Sequence, residues 1–205
     1  MQWKDGGVTG HFGTQIADTL VQLAGILDGL EPDEWGSPSL CERWTVRDAA
    51  GHIVWRVGSS YADMVRTGLP MLTLARFSAD ALIDAVSRQE AEASSPAELV
   101  YWMRRIAALR LAGIGRTGLA DLVETVVHTY DIVQPLGVPI EVDPEATRSI
   151  ALRSLLTASP DRRALVASRT LWASDAGWAI GRGPLLEGSA QGIVLYLYGR
   201  EPLRR

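Results

Sequence analysis

A single cysteine, Cys41, stands in a chain of 205 residues. No internal disulfide can form, and such sparing use of thiol pairing fits a reducing compartment. Basic residues are also scarce: 20 Lys and Arg against 24 Asp and Glu give a formal net charge of -4. No run of Lys or Arg is longer than the pairs Arg104-Arg105, Arg162-Arg163 and Arg204-Arg205, so the chain offers no basic stretch with which to neutralise a row of nucleic-acid phosphates. Long apolar runs are missing too. No stretch approaches the roughly 18 to 20 uncharged residues of a membrane span, and no apolar segment of a signal peptide follows Met1-Gln2-Trp3-Lys4-Asp5-Gly6. The expectation is a protein of the cytoplasm with neither nucleic acid nor membrane as partner. Repeats and low-complexity tracts are absent as well. What remains is ordinary for a globular protein: 47% hydrophobic and 21% charged residues, with 20 Gly and 10 Pro. The length allows one large domain, or one of common size with a small appendage.

Apolar residues recur at helical spacing from Phe12 through Ile16, Leu20, Leu23 and Leu27 to Leu30, where Pro32 ends the segment. Thr45-Val46-Arg47-Asp48 has the form of a capping box, with a hydroxyl at the N-cap and a carboxylate three residues on. It predicts a second helix from Val46 to about Arg66, ending before Gly68 and Pro70. Ser78 can cap a helix to about Ala93. Ser95-Pro96-Ala97-Glu98 opens the next, since Pro suits the first helical position, with Leu99, Trp102, Met103, Ile106 and Leu109 along it. A further helix is expected from Leu119 to Val133, stopped by Pro135 and Gly137. These segments make a mainly α chain, an antiparallel helix bundle over residues 1–142. From Asp143-Pro144 a capped helix runs to about Thr157 and Ser159-Pro160 starts another. For Trp178-Ala179-Ile180 and Ile193-Val194-Leu195-Tyr196 the alternation is too weak to separate helix from strand. Residues 143–205 are read as a small α/β appendage.

Only three histidines occur, and two of them, His52 and His128, lie inside apolar helical segments. Glu124 precedes His128 by four residues, which puts both side chains on one face about a turn apart. Their neighbours Leu122, Val123, Val126 and Val127 turn that face inward, and a buried carboxylate is costly unless paired or bound to metal. Two readings follow: a buried Glu–His hydrogen bond locking two helices, or metal ligation with His52 as third ligand from another helix. Two imidazoles and one carboxylate would leave open coordination positions, as a catalytic site does.

The segment Trp35-Gly-Ser-Pro38-Ser-Leu-Cys41-Glu-Arg-Trp44-Thr-Val-Arg-Asp48-Ala-Ala-Gly51-His52 and the segment Glu124-Thr-Val-Val-His128-Thr-Tyr-Asp131-Ile-Val-Gln-Pro135-Leu-Gly137 resemble the mycothiol-dependent maleylpyruvate isomerase family. That family is the actinobacterial branch of the DinB-like metalloenzyme superfamily. Gly188-Ser-Ala-Gln-Gly-Ile-Val-Leu-Tyr-Leu-Tyr-Gly199-Arg200 is similar to the end of the family's small C-terminal domain. The resemblance implies a DinB-like antiparallel four-helix bundle with a small C-terminal α/β domain, and zinc, or a similar ion such as nickel or iron, held at positions matching His52, Glu124 and His128. It implies mycothiol as cosubstrate: the ion favours the thiolate of this small-molecule thiol, which attacks an electrophilic substrate in a transferase or isomerase reaction. It also implies that Arg200 holds an anionic part of substrate or thiol. Against this stand a non-catalytic metal- or ligand-binding module on the same bundle, and metal-assisted hydrolysis with water as nucleophile.

Other features read as structural. Gly113-Ile-Gly115-Arg-Thr-Gly118 satisfies a dinucleotide-fingerprint pattern, yet it falls between helices instead of after a strand. His11 near the first helix reads as a solvent-facing residue, with a fourth ligand as the other option. Asp131 either orients a ligand from behind or shapes the helix end. Cys41, between Leu40 and Glu42 with no Lys or His beside it in sequence, reads as an inert buried thiol.

Overall fold

The structure, a computed structural model, describes residues 12–71 and 78–203. Four helices make an antiparallel bundle: α1 (Gly13–Asp28), α2 (Val46–Gly58), α5 (Pro96–Leu111) and α6 (Leu119–Leu136), with α1 and α2 each packed on both α5 and α6. Two more helices, α3 (Tyr61–Gly68) and α4 (Ala79–Ala93), follow α2, and α4 lies along α2 outside the bundle. Ile16, Leu20 and Leu23 of α1 meet Leu99 and Met103 of α5 and Leu122 of α6 in a solvent-free core. Each such side chain is worth about 2 to 3 kcal/mol relative to exposure. Among the described residues no helix is long and apolar enough to cross a membrane.

The chain after α6 forms α7 (Pro144–Ser154), α8 (Pro160–Ser168), strands β1 (Thr170–Ala173), β2 (Trp178–Gly181) and β3 (Leu185–Gly188), and α9 (Ala190–Leu197). The sheet order is β2-β1-β3, with β1 antiparallel to β2 and parallel to β3. Of the two ambiguous segments, Trp178-Ala179-Ile180 is strand, alternating buried and exposed. Ile193–Tyr196 is helix, with Ile193, Val194, Leu195 and Leu197 buried against α6 and α7. Ile150, Leu171 and Ile193 join the same apolar cluster as the bundle core.

Two predicted boundaries shift for identifiable reasons. The helix expected over Val46 to Arg66 breaks at Ser59-Ser60, because the Ser60 hydroxyl accepts from the Asp63 N–H at 3.1 Å and starts α3. The helix expected to stop at Val133 continues to Leu136 with Pro135 inside it. Pro135 has no N–H for the carbonyl of Asp131, one turn earlier. That carbonyl instead accepts from Leu40 N at 2.9 Å, which ties the loop carrying Cys41 to α6. Gly137 closes the helix in the left-handed conformation (φ 67°).

The glycine pattern at 113–118 joins α5 to α6, as its position between helices requires. Buried Arg110 holds this loop, donating from Nη1 to Ile114 O at 2.7 Å and from Nη2 to Val57 O. Gly115 adopts φ +88°, and a Cβ there would collide with Arg110 Nη1. Gly115→Ala should therefore lower stability by about 2 kcal/mol in urea unfolding; an unchanged midpoint would refute this account of the loop.

Candidate metal centre

His52 is placed by the capping box at the start of α2: Thr45 Oγ1 accepts from Asp48 N at 3.1 Å, and Asp48 Oδ2 accepts from Thr45 N at 2.9 Å. Six residues in, His52 is only 2% exposed and faces α6. There the helical spacing aims Glu124 and His128 at it. Glu124 Oε2 lies 3.2 Å from His52 Nε2 and 3.5 Å from His128 Nε2. The three sites lie within 4.8 Å of one another, a set able to hold one ion.

The outer nitrogen of each imidazole is engaged. Ser87 Oγ donates its proton to Ile83 O at 2.6 Å, so its contact with His52 Nδ1 at 2.9 Å is one in which the ring N–H donates. His128 Nδ1 donates to Asp131 Oδ2 at 2.9 Å. Both tautomers are assigned from this pattern of partners. Each neutral ring then presents a bare Nε2 lone pair to the anionic Oε2. Three acceptors without a proton among them require a cation, supplied either by protonation of a ring or by a metal ion.

The titration behaviour fits that requirement. Burial, and then the charge of His128, push the His52 pKa down to about 4. Burial opposes charge on His128 as well, but hydrogen bonds with Asp131, Cys41 and Glu124 outweigh it and hold the pKa well above the usual histidine value. For Glu124, burial favours the neutral form, yet the two histidines hold its carboxyl far below the ordinary range. Arg56 meets the carboxylate from the other side, with Nε 3.2 Å from Oε1.

Asp131 lies behind the His128 ring, on the side away from Glu124. It is fully buried, and Arg200 donates to it from Nε (2.9 Å to Oδ1) and Nη2 (3.1 Å to Oδ2). Arg200 thus lies at the site, with its guanidinium tied down on one side and lining a cavity of about 450 Å³ on the other. Trp44, Arg43, Arg56 and Ile83 complete the wall above the two histidines and Glu124.

Cys41 is buried, as the sequence reading had it, but it is not remote from histidine or charge. The fold brings His128 Nδ1 to 3.5 Å from Sγ, Asp131 Oδ2 to 3.0 Å and Arg200 Nη2 to 3.3 Å. Even so, burial dominates and pushes the thiol pKa up, so Cys41 remains a protonated donor to Asp131. Cys41, His128 and Asp131 also cluster closely enough for an ion, but the Arg200 guanidinium already occupies that cluster as its cation. His11 lies outside the described residues.

Sequence reasoning missed Arg56, Ser87 and the Trp44–Asp84 contact, in which Nε1 donates to Oδ1 at 2.6 Å. Arg56 could have been found, being four residues beyond His52 on the same helical face. Ser87 carries no such signal.

The family model described as mycothiol maleylpyruvate isomerase N-terminal domain matches residues 16–133. Among solved structures, the crystal structure of the mycothiol-dependent maleylpyruvate isomerase is similar, with a TM-score of 0.52 at 15% identity, covering 92% of this chain and 88% of that one. That of a histidine-to-alanine mutant of the enzyme gives a TM-score of 0.53 at 12% identity, with the same coverage. Identities this low speak for the fold alone. No curated protein matches the sequence.

Proposed function

Since the chain belongs to the mycothiol maleylpyruvate isomerase N-terminal domain family, we propose that it is a metal-dependent enzyme using mycothiol as cosubstrate, and that it isomerises or conjugates a small electrophile. In this reading His52, Glu124 and His128 hold one divalent ion, with zinc favoured by the nitrogen and carboxylate donors. The observation that supports it most is the convergence of two imidazole Nε2 atoms and one carboxylate oxygen on a common point. Residues 1–142 contribute the donors, while residues 143–205 contribute Arg200.

A bound ion supplies a Lewis acid that favours the thiolate form of the thiol. The protein does the rest. Ser87 and Asp131 hold the two rings with Nε2 inward, and Arg56 engages Glu124 Oε1 so that Oε2 faces the histidines. Arg200 uses Nε and Nη2 on Asp131 and Cys41, leaving Nη1 outside these bonds to meet an anionic group of the substrate. Trp44 and Ile83 narrow the cavity over the centre. Cys41, held protonated by burial, is a poor nucleophile, so the attacking sulfur is external.

The test is thiol consumption by the purified protein given a reactive electrophile, with and without mycothiol, and before and after chelation. Acceleration should require both mycothiol and metal, and Cys41→Ser should retain it. Activity in metal-free protein would sink the mechanism, and loss of activity in folded Cys41→Ser would place the nucleophile in the protein. Failure with every thiol would favour the non-catalytic binding module, and turnover without thiol would favour hydrolysis.

A further inference from the structure

Helix α4 is outside the four-helix bundle, yet it reaches the centre of the site. Its Ser87 is wholly buried, and its Oγ is the partner of His52 Nδ1 at 2.9 Å while donating to Ile83 O at 2.6 Å. The approach depends on the residue beside His52. A Cβ on Gly51 would stand 2.8 Å from Ala91 N and 3.0 Å from Ser87 O. Both are backbone atoms of α4, which cannot give way without moving the helix. Side chains then fasten α4 around this contact: Arg47 Nη2 donates to Ser94 O at 2.9 Å, Arg88 Nη2 to Arg43 O at 2.6 Å, and Trp44 Nε1 to Asp84 Oδ1 at 2.6 Å.

A neutral imidazole has one N–H. Where Nδ1 carries it, Nε2 is free to ligate. Where Nε2 carries it, that proton points at Glu124 Oε2, 3.2 Å away, and forms the buried Glu–His hydrogen bond. Of the two tautomers of His52, only the one protonated at Nδ1 leaves an Nε2 lone pair for an ion. The acceptor that selects between them is the Ser87 hydroxyl, whose own proton is committed to Ile83.

We propose that Ser87 is a positioning residue that fixes the His52 tautomer with Nε2 unprotonated, and that close docking of α4 on Gly51 thereby sets the affinity of the centre for its ion. The part concerning the ion rests on the metal-dependent function above. The part concerning the tautomer does not. Removing the hydroxyl lets His52 turn its proton toward Glu124, and an arriving ion must then break that hydrogen bond and displace the proton. Gly51→Ala acts through the backbone, drawing α4 and the Ser87 hydroxyl away without deleting any polar group.

The experiment reads the tautomer and the affinity separately. Long-range proton–nitrogen NMR of metal-free protein at neutral pH identifies which ring nitrogen of His52 carries hydrogen, and competition with a chromophoric chelator gives the zinc dissociation constant. In the parent, Nδ1 should be protonated and Nε2 bare. Ser87→Ala should move the proton to Nε2 and weaken zinc binding about 10- to 100-fold, with far-UV helicity unchanged, and Gly51→Ala should move both readouts in the same direction. A purely structural role for Ser87 would change stability but not the tautomer. A parent His52 protonated at Nε2, or a Ser87→Ala protein with parental tautomer and zinc affinity, overturns the proposal. If the parent binds no zinc, the metal reading and the affinity part fail, while the tautomer in metal-free protein still decides the role of Ser87.

Discussion

His128→Ala is expected to weaken zinc binding by at least about 100-fold, more than loss of a supporting group costs, and to remove thiol-dependent turnover while leaving far-UV helicity at the parental level. The donors lie on two helices that hold together without the ion. His52 belongs to α2, and Glu124 and His128 to α6. These helices are already joined by a core that includes Ile53, Val57, Leu122 and Val126. A small domain short of core unfolds when its metal is lost; this bundle should not. Without zinc the variant should lose only about 1 to 2 kcal/mol, from the His128 hydrogen bond to Asp131. With free zinc at about 100 times its dissociation constant the parent gains about 2.7 kcal/mol that the variant cannot. Urea unfolding with and without zinc separates these contributions. A variant that binds zinc like its parent would return Glu124 and His128 to the role of a buried hydrogen bond. One that unfolds would make the ion structural.

The parts of this molecule legible in the sequence are those set by local chemistry. The capping boxes at Thr45–Asp48 and Ser95–Glu98 fix where α2 and α5 begin, and Glu124 and His128 share a face because the helix repeat demands it. The parts that were not legible depend on what lies opposite. Nothing in the sequence next to Cys41 announces His128, Asp131 and Arg200. They reach it because Asp131 O, left free by Pro135, captures Leu40 N, and because Gly199 (φ +79°) turns the chain after α9 so that Arg200 faces α6. Trp178-Ala179-Ile180 could not be told from helix by its own residues, since its pairing partner β1 is what makes it a strand. The same holds for Ser87, an ordinary serine in an ordinary helix until α4 is packed against Gly51.

Asp131→Asn should cost both stability and zinc affinity, and coupling to Arg200 should show why. The carboxylate of Asp131 is completely buried. It receives donors from His128 Nδ1 at 2.9 Å, Arg200 Nε at 2.9 Å, Arg200 Nη2 at 3.1 Å and Cys41 Sγ at 3.0 Å. These donors, together with the charge on His128 and Arg200, hold its pKa below the usual range against the opposing effect of burial. An asparagine of the same shape keeps one acceptor oxygen and replaces the other by a donor. Whichever way the amide turns, an N–H meets either the His128 N–H or the guanidinium. Because the Arg200 side chain is 27% exposed, water relieves part of the loss, and the expected cost is about 2 to 3 kcal/mol, not the larger penalty of a fully buried broken pair. The ring of His128 is no longer held with Nε2 inward, so zinc affinity should fall about 10- to 100-fold. Arg200→Met removes the counter-charge from the other side. In the double variant the two losses should be less than additive by about 1 to 2 kcal/mol, since neither group is left facing an absent partner. Additive losses in urea unfolding, combined with parental zinc affinity in Asp131→Asn, would show that Asp131 neither pairs with Arg200 to any effect nor orients His128.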